Sequence, residues 1–200
     1  MRLSAAGAPR QERRRYSGRV PVSPLFVFQG SFPEKRVDAL LRRLPPISGP
    51  PVRIESAPGL RDRHGAVHGG TFLRKRRIAL NCTWREFPRV FVHELFHFVW
   101  LRAGNPARHA FEDLLQQEYR TGARGELGWS AEWRKSELTA RDIRLRSRRW
   151  REYCCESFCD TAAWLYSGVE DHEEFTLRAR FGRRRRDWFR KTIAATRLSI

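Results

Sequence analysis

The stretch FPRVFVHELFHFVWLRA, residues 87–103, decides how this chain is read. It is too long and too apolar for one strand. Pro88 suits a first helical turn, and Gly104-Asn105-Pro106 stops the helix. Among Val90, Phe91, Val92, Leu95, Phe96, Phe98, Val99, Trp100 and Leu101 stand three polar residues, His93, Glu94 and His97. Each carries a desolvation cost in such surroundings, which a metal in a polar cavity would explain. The three spell H-E-x-x-H. His93 and His97 project from one helix face on successive turns and can share a metal, and Glu94 lies near enough to reach a water bound to it. With six His and fifteen Glu in 200 residues, the pattern arises by chance in roughly one such chain in seventy.

Upstream of this helix, Leu25–Phe28 reads as a strand between Pro24 and Gly30, and Ser31–Leu44 as a helix ended by Pro45-Pro46. Val52–Ser56 reads as a second strand, residues 57–70 as a Gly-rich loop, and Thr71–Asn81 as a third strand. Downstream, Asn105 is expected to cap an amphipathic helix carrying Phe111, Leu114, Leu115 and Tyr119, and Gly122, Gly125 and Gly128 mark a loop. A long helix is expected from about Arg141 to Ser167, opened by Thr139-x-x-Asp142 and closed by Gly168. The last thirty residues suggest a closing helix around Arg183–Arg186. The expected class is α+β: a small sheet early in the chain, helices later. Residues 1–19 read as a flexible basic arm and 20–200 as one domain, of which 20–182 is expected to fold alone.

Composition narrows the functional classes. Aromatic residues make up 12% of the chain, which argues against disorder. No segment reaches the ~18 uncharged apolar residues of a membrane span. The N-terminus lacks the apolar stretch of a secretory signal, and four Cys, two of them adjacent, do not form a disulfide framework. A reducing cytoplasm is the expected location. Forty basic against 22 acidic residues give a formal charge of +18. Arg10–Arg19 and Arg183–Arg190, the latter interleaved with Trp188 and Phe189, could contact nucleic acid. A nucleic-acid-associated regulatory protein is therefore the alternative function.

A catalytic zinc needs a third protein ligand and keeps its fourth position for water. Position 103 is Ala, which excludes the metzincin pattern, and His109 sits opposite the apolar face of its own helix. Glu156 is the favoured third ligand. Asp160, one turn later on the same helix, could accept a proton from a ligand His. Glu118 and Glu132 are alternatives, although Gly122 occupies the place one turn after Glu118.

His93-Glu94-x-x-His97 followed by Glu156-x-x-x-Asp160 resembles the gluzincin zinc metallopeptidases, and the second segment is similar to small cytoplasmic ImmA/IrrE-type proteins. Cys159 stands where that pattern has Ala, and the gap from His97 to Glu156 is wider. The resemblance covers roughly residues 71–165. It implies a zincin-like fold, Zn2+ on His93, His97 and Glu156, and Glu94 as general base. It also implies a peptide or protein substrate paired with an edge strand within Thr71–Leu80.

Other readings are weaker. Cys82, Cys154, Cys155 and Cys159 contain no C-x-x-C pair and are expected to be buried thiols rather than a second zinc site. A deformylase-like role for Cys82 lacks the surrounding Gly-Cys strand. His64 and His68 read as solvated loop residues, and Tyr119, Tyr153, His109 and His172 are candidates for stabilising an oxyanion.

Overall fold

The structure is a computed structural model, described here for residues 25–63, 65–195 and 197–200. The arm expected at 1–19, its arginines and His64 lie outside the described residues.

The element order is β1 (Phe26–Gln29), α1 (Glu34–Leu41), β2 (Ile47–Ser48), β3 (Val52–Ser56), β4 (Arg61–Asp62), β5 (Gly65–Ala66), β6 (Gly69–Phe72) and β7 (Arg77–Leu80). Then follow α2 (Phe87–Arg102), α3 (Gly104–Arg120), α4 (Trp129–Ser136), α5 (Ala140–Arg144), α6 (Arg148–Tyr166), α7 (Ala179–Thr192) and β8 (Leu198–Ser199). The protein is α+β, as expected.

The main sheet has the order β1-β3-β7-β6. Its first three strands run parallel, and β6 is antiparallel at the edge. The interior strands carry the short apolar runs: Val52 and Ile54 on β3, and Ile78, Ala79 and Leu80 on β7, are all buried. α2 packs against β6 and β7 on one side and α6 on another. Ten of its sixteen residues are buried, which is why its apolar residues form no single stripe.

Four expectations are corrected. The stretch 71–81 is not one strand but a hairpin. Leu73–Lys75 form a 3-10 turn, and Arg76 adopts a left-handed conformation at φ 46°. Gly69 and Gly70, which read as loop, belong to β6 because the strand lies against α2. A Cβ on Gly69 would sit 2.7 Å from both Glu94 Oε1 and Val90 Cγ1, so only glycine allows this approach. The long helix expected over 141–167 is two. Thr139 and Asp142 form a reciprocal capping box, but it opens the short α5. The chain breaks at Arg146 (φ 45°), and Ser147 then caps α6 through the Trp150 amide. α3 begins at Gly104 without a side-chain cap, not at Asn105.

The C-terminal segment packs against the elements that precede it. Phe189, Ile193, Leu198 and Ile200 join the main core, and β8 pairs with β2. Among the described residues, no helix is long and apolar enough to cross a membrane.

Candidate metal centre

α2 and α6 bring the sequence-predicted residues together. His93, His97 and Glu156 each offer a ligand atom, and these atoms lie within 4.8 Å of one another. His93 Nε2 is 3.3 Å from Glu156 Oε2. The two imidazoles stand 5.0 Å apart, centroid to centroid, at 77°, as expected for successive turns of one helix. Glu94 does not belong to this group; it lines the same cleft from the next position on α2.

Each donor has a partner that fixes its orientation. His93 Nδ1 lies 2.7 Å from Asp160 Oδ1, the pairing expected from the i, i+4 spacing of Glu156 and Asp160. The other oxygen of Asp160 accepts the Ala131 N–H of α4 at 3.1 Å. The start of α4 reaches Asp160 because residue 128 is glycine, whose Cβ, if present, would collide with that carboxylate. His97 Nδ1 faces Cys155 Sγ at 3.5 Å. Arg134 Nη2 lies 3.3 Å from Glu156 Oε1. The Thr71 hydroxyl sits 2.7 Å from both the Glu94 carbonyl oxygen and Glu94 Oε2, so edge strand β6 holds the carboxylate of α2.

The electrostatics bind these groups to one another. Burial opposes charge on His93, but the Asp160 charge and hydrogen bond, with Glu156, raise its pKa well above the ordinary value. Burial likewise opposes ionisation of Glu156, yet hydrogen bonding to His93 and the charges of His97 and His93 pull it down to about 2. The Cys155 thiol is lowered to about 6, first by its hydrogen bond with Cys159, against burial, and then by His97. Mutually shifted groups of this kind concentrate at functional sites.

The cleft has a volume of about 630 Å³. All of β6 lines it, together with His68, Trp129, Arg134, Glu156 and Glu174. Trp129 is 64% exposed and stacks on Trp133 at 6.1 Å.

The remaining sequence candidates sit elsewhere. Glu118 is buried in a salt bridge to Arg185 at 2.7 Å and is not among the residues grouped around His93 and His97. Glu132 accepts a hydrogen bond from Thr176. Cys82 stands apart from the cluster, its thiol pushed up to about 11 by burial and by Glu86. Tyr153 donates to Glu126 at 2.6 Å inside the core, His172 faces Glu86, and His109 and Tyr119 are exposed outside the cleft. None of these four lines the cleft, whereas Arg61, Arg89 and Arg134 do, and Arg134 reaches Glu156. Phe189 is buried, Trp188 packs on Phe111 at 4.9 Å, and Arg185 is wholly buried between two carboxylates.

Sequence reasoning missed Arg134, Thr71 and the pairing of Cys155 with His97. All three depend on contacts between separate elements. Only the position of Cys155, adjacent to Glu156, carried a local signal. Comparison with family models, with curated proteins and with solved structures gives no match.

Proposed function

We propose that this chain is a zinc-dependent peptidase of zincin-like fold, with His93, His97 and Glu156 as the metal ligands and Glu94 as general base. The observation that carries the reading is the geometry of the donor triad. Four ligands at ~2.0–2.1 Å around a tetrahedral zinc stand ~3.3–3.4 Å apart, and His93 Nε2 and Glu156 Oε2 already stand at 3.3 Å. The donor set, two imidazoles and one carboxylate facing an open cleft, is that of a hydrolytic rather than a structural zinc site.

A zinc ion held there supplies a Lewis acid and a bound water whose pKa falls toward ~7. The protein's own groups do the rest. Thr71 holds one oxygen of Glu94 and leaves Oε1 to accept the water's proton, which the same carboxyl later donates to the leaving amine. Asp160 keeps the His93 ring turned so that Nε2 faces Glu156 and the shared donor position. The Arg134 guanidinium, half-buried at the cleft, stabilises negative charge on the scissile carbonyl oxygen. An extended substrate pairs with the outer edge of β6, whose other edge is occupied by β7. Trp129 offers its exposed face to a substrate side chain.

The test uses the zinc-loaded chain and a mixed peptide library read by mass spectrometry. Glu94→Gln is expected to keep its zinc and to lose ~10²–10⁴-fold in cleavage rate. Cleavage that survives this substitution overturns the mechanism.

A further inference from the structure

Two cysteines stand beside the centre and converge on one of its ligands. Cys155 and Cys159 lie one turn apart on α6, and their sulfur atoms fall within 4.8 Å of each other and of a ring nitrogen of His97. Cys155 Sγ lies 3.5 Å from His97 Nδ1. Bonds of ~2.3 Å to sulfur and ~2.0–2.1 Å to nitrogen around a tetrahedral ion place the two donors ~3.6 Å apart. The 3.5 Å separation therefore suits an ion seated between them as well as a hydrogen bond. Cys155 keeps part of its surface open, while Cys159 is fully buried.

We infer that His97 Nδ1, Cys155 Sγ and Cys159 Sγ form a second site, for a thiophilic d¹⁰ metal ion, sharing the His97 imidazole with the triad of His93 and Glu156. Thiolate pairs select soft ions over the harder ones that carboxylates prefer. Loading releases two protons to solvent, one from Cys159 and one shared by the Cys155–His97 pair, and forms two metal–sulfur bonds and one metal–nitrogen bond, with no change of oxidation state. Because one imidazole serves both sites, occupancy of either changes affinity at the other, and the coupling is reciprocal.

The inference shares only His97 with the hydrolytic reading, so each can fail alone. The probe is Cd2+, added to the reduced full-length chain under anaerobic conditions and followed by thiolate-to-cadmium absorbance and ¹¹³Cd NMR. The unsubstituted chain is expected to give one resonance shifted into the range of sulfur ligation, with the absorbance saturating at one equivalent per site. Both signals persist in His93→Ala and in Glu156→Ala, which remove only the hydrolytic triad. They also persist in Cys82→Ser/Cys154→Ser. They are lost in Cys155→Ser/Cys159→Ser and weakened in His97→Ala. A ¹¹³Cd signal confined to the nitrogen–oxygen range in the unsubstituted chain overturns the inference without any variant. Sulfur ligation that survives Cys155→Ser/Cys159→Ser, or that vanishes with Cys82 and Cys154, overturns it as well.

Discussion

Helix α6 faces two buried polar clusters, and they differ in kind. On one side Arg185 is completely buried, held by Glu118 at 2.7 Å, by Glu126 at 2.6 Å and by the Ser157 hydroxyl at 2.9 Å. Lys135 and Tyr153 complete the coordination of Glu126. Two cations meet two carboxylates, and the cluster is closed. On the other side Glu156 and Asp160 meet His93, His97 and the partly exposed cation Arg134, beside a cleft of about 630 Å³. Both clusters are buried and both shift the titration of their members, so neither property alone marks a site. The difference lies in convergence on open space with a ligand set that one ion would complete.

That contrast can be broken experimentally. The largest effect belongs to the closed cluster's supporting helix. Ending the chain at residue 182 removes Arg185, Phe189 and Ile193 together with β8. Loss of cooperative thermal unfolding and of near-ultraviolet dichroism is expected; a cooperative transition would show that α7 is an appendage. The next test is more local. Arg185→Met leaves Glu118 buried without its cation and Glu126 with Lys135 alone, a loss of ~3–5 kcal/mol in urea unfolding. Metal affinity should be unchanged, because no member of the open cluster touches Arg185. If metal affinity falls with stability, the two clusters are coupled and the division is wrong.

A smaller effect follows from pH. Burial disfavours the Glu126 carboxylate, but Arg185, then Lys135 and Tyr153, hold its pKa down at about 2 against an ordinary value of 4.5. Its contribution to stability is therefore complete above pH 4.5 and is lost as pH falls from there through about 2. Urea midpoints measured across that window should decline, and the decline should be shallower in Glu126→Gln. An unchanged slope would mean that other carboxylates carry the acid sensitivity.

The two clusters also show what a sequence can reveal. Three polar residues in an apolar helix are visible locally, as is the i, i+4 pair Glu156 and Asp160, because helical periodicity places such residues predictably. Strands β1 and β3 and the apolar helices could be read for the same reason. What could not be read depends on tertiary contact. Gly69 and Gly70 have the composition of a loop, yet they pair with Leu80 and Ala79 of β7, and Gly69 lets β6 approach Glu94 closely. Arg183–Arg186 has the composition of a solvated basic run, yet Arg185 is the most deeply buried cation in the cluster around Glu126. Nothing in its neighbours distinguishes it from Arg184, which bonds Gln117 on α3. The break at Arg146 likewise follows from tertiary demands, since the Thr139 cap signals a helix start but not its length.

The central claim is that His93, His97 and Glu156 hold zinc while Glu94 stands beside it without ligating. The direct measurement is zinc affinity by competition with a chelator, for the unsubstituted chain, Glu94→Gln and Glu156→Ala side by side. The account predicts one zinc per hydrolytic triad, bound as tightly in Glu94→Gln as in the unsubstituted chain. Glu156→Ala should bind it far more weakly, because two imidazoles alone remain. Tight binding by Glu156→Ala, or loss of zinc in Glu94→Gln, would contradict it.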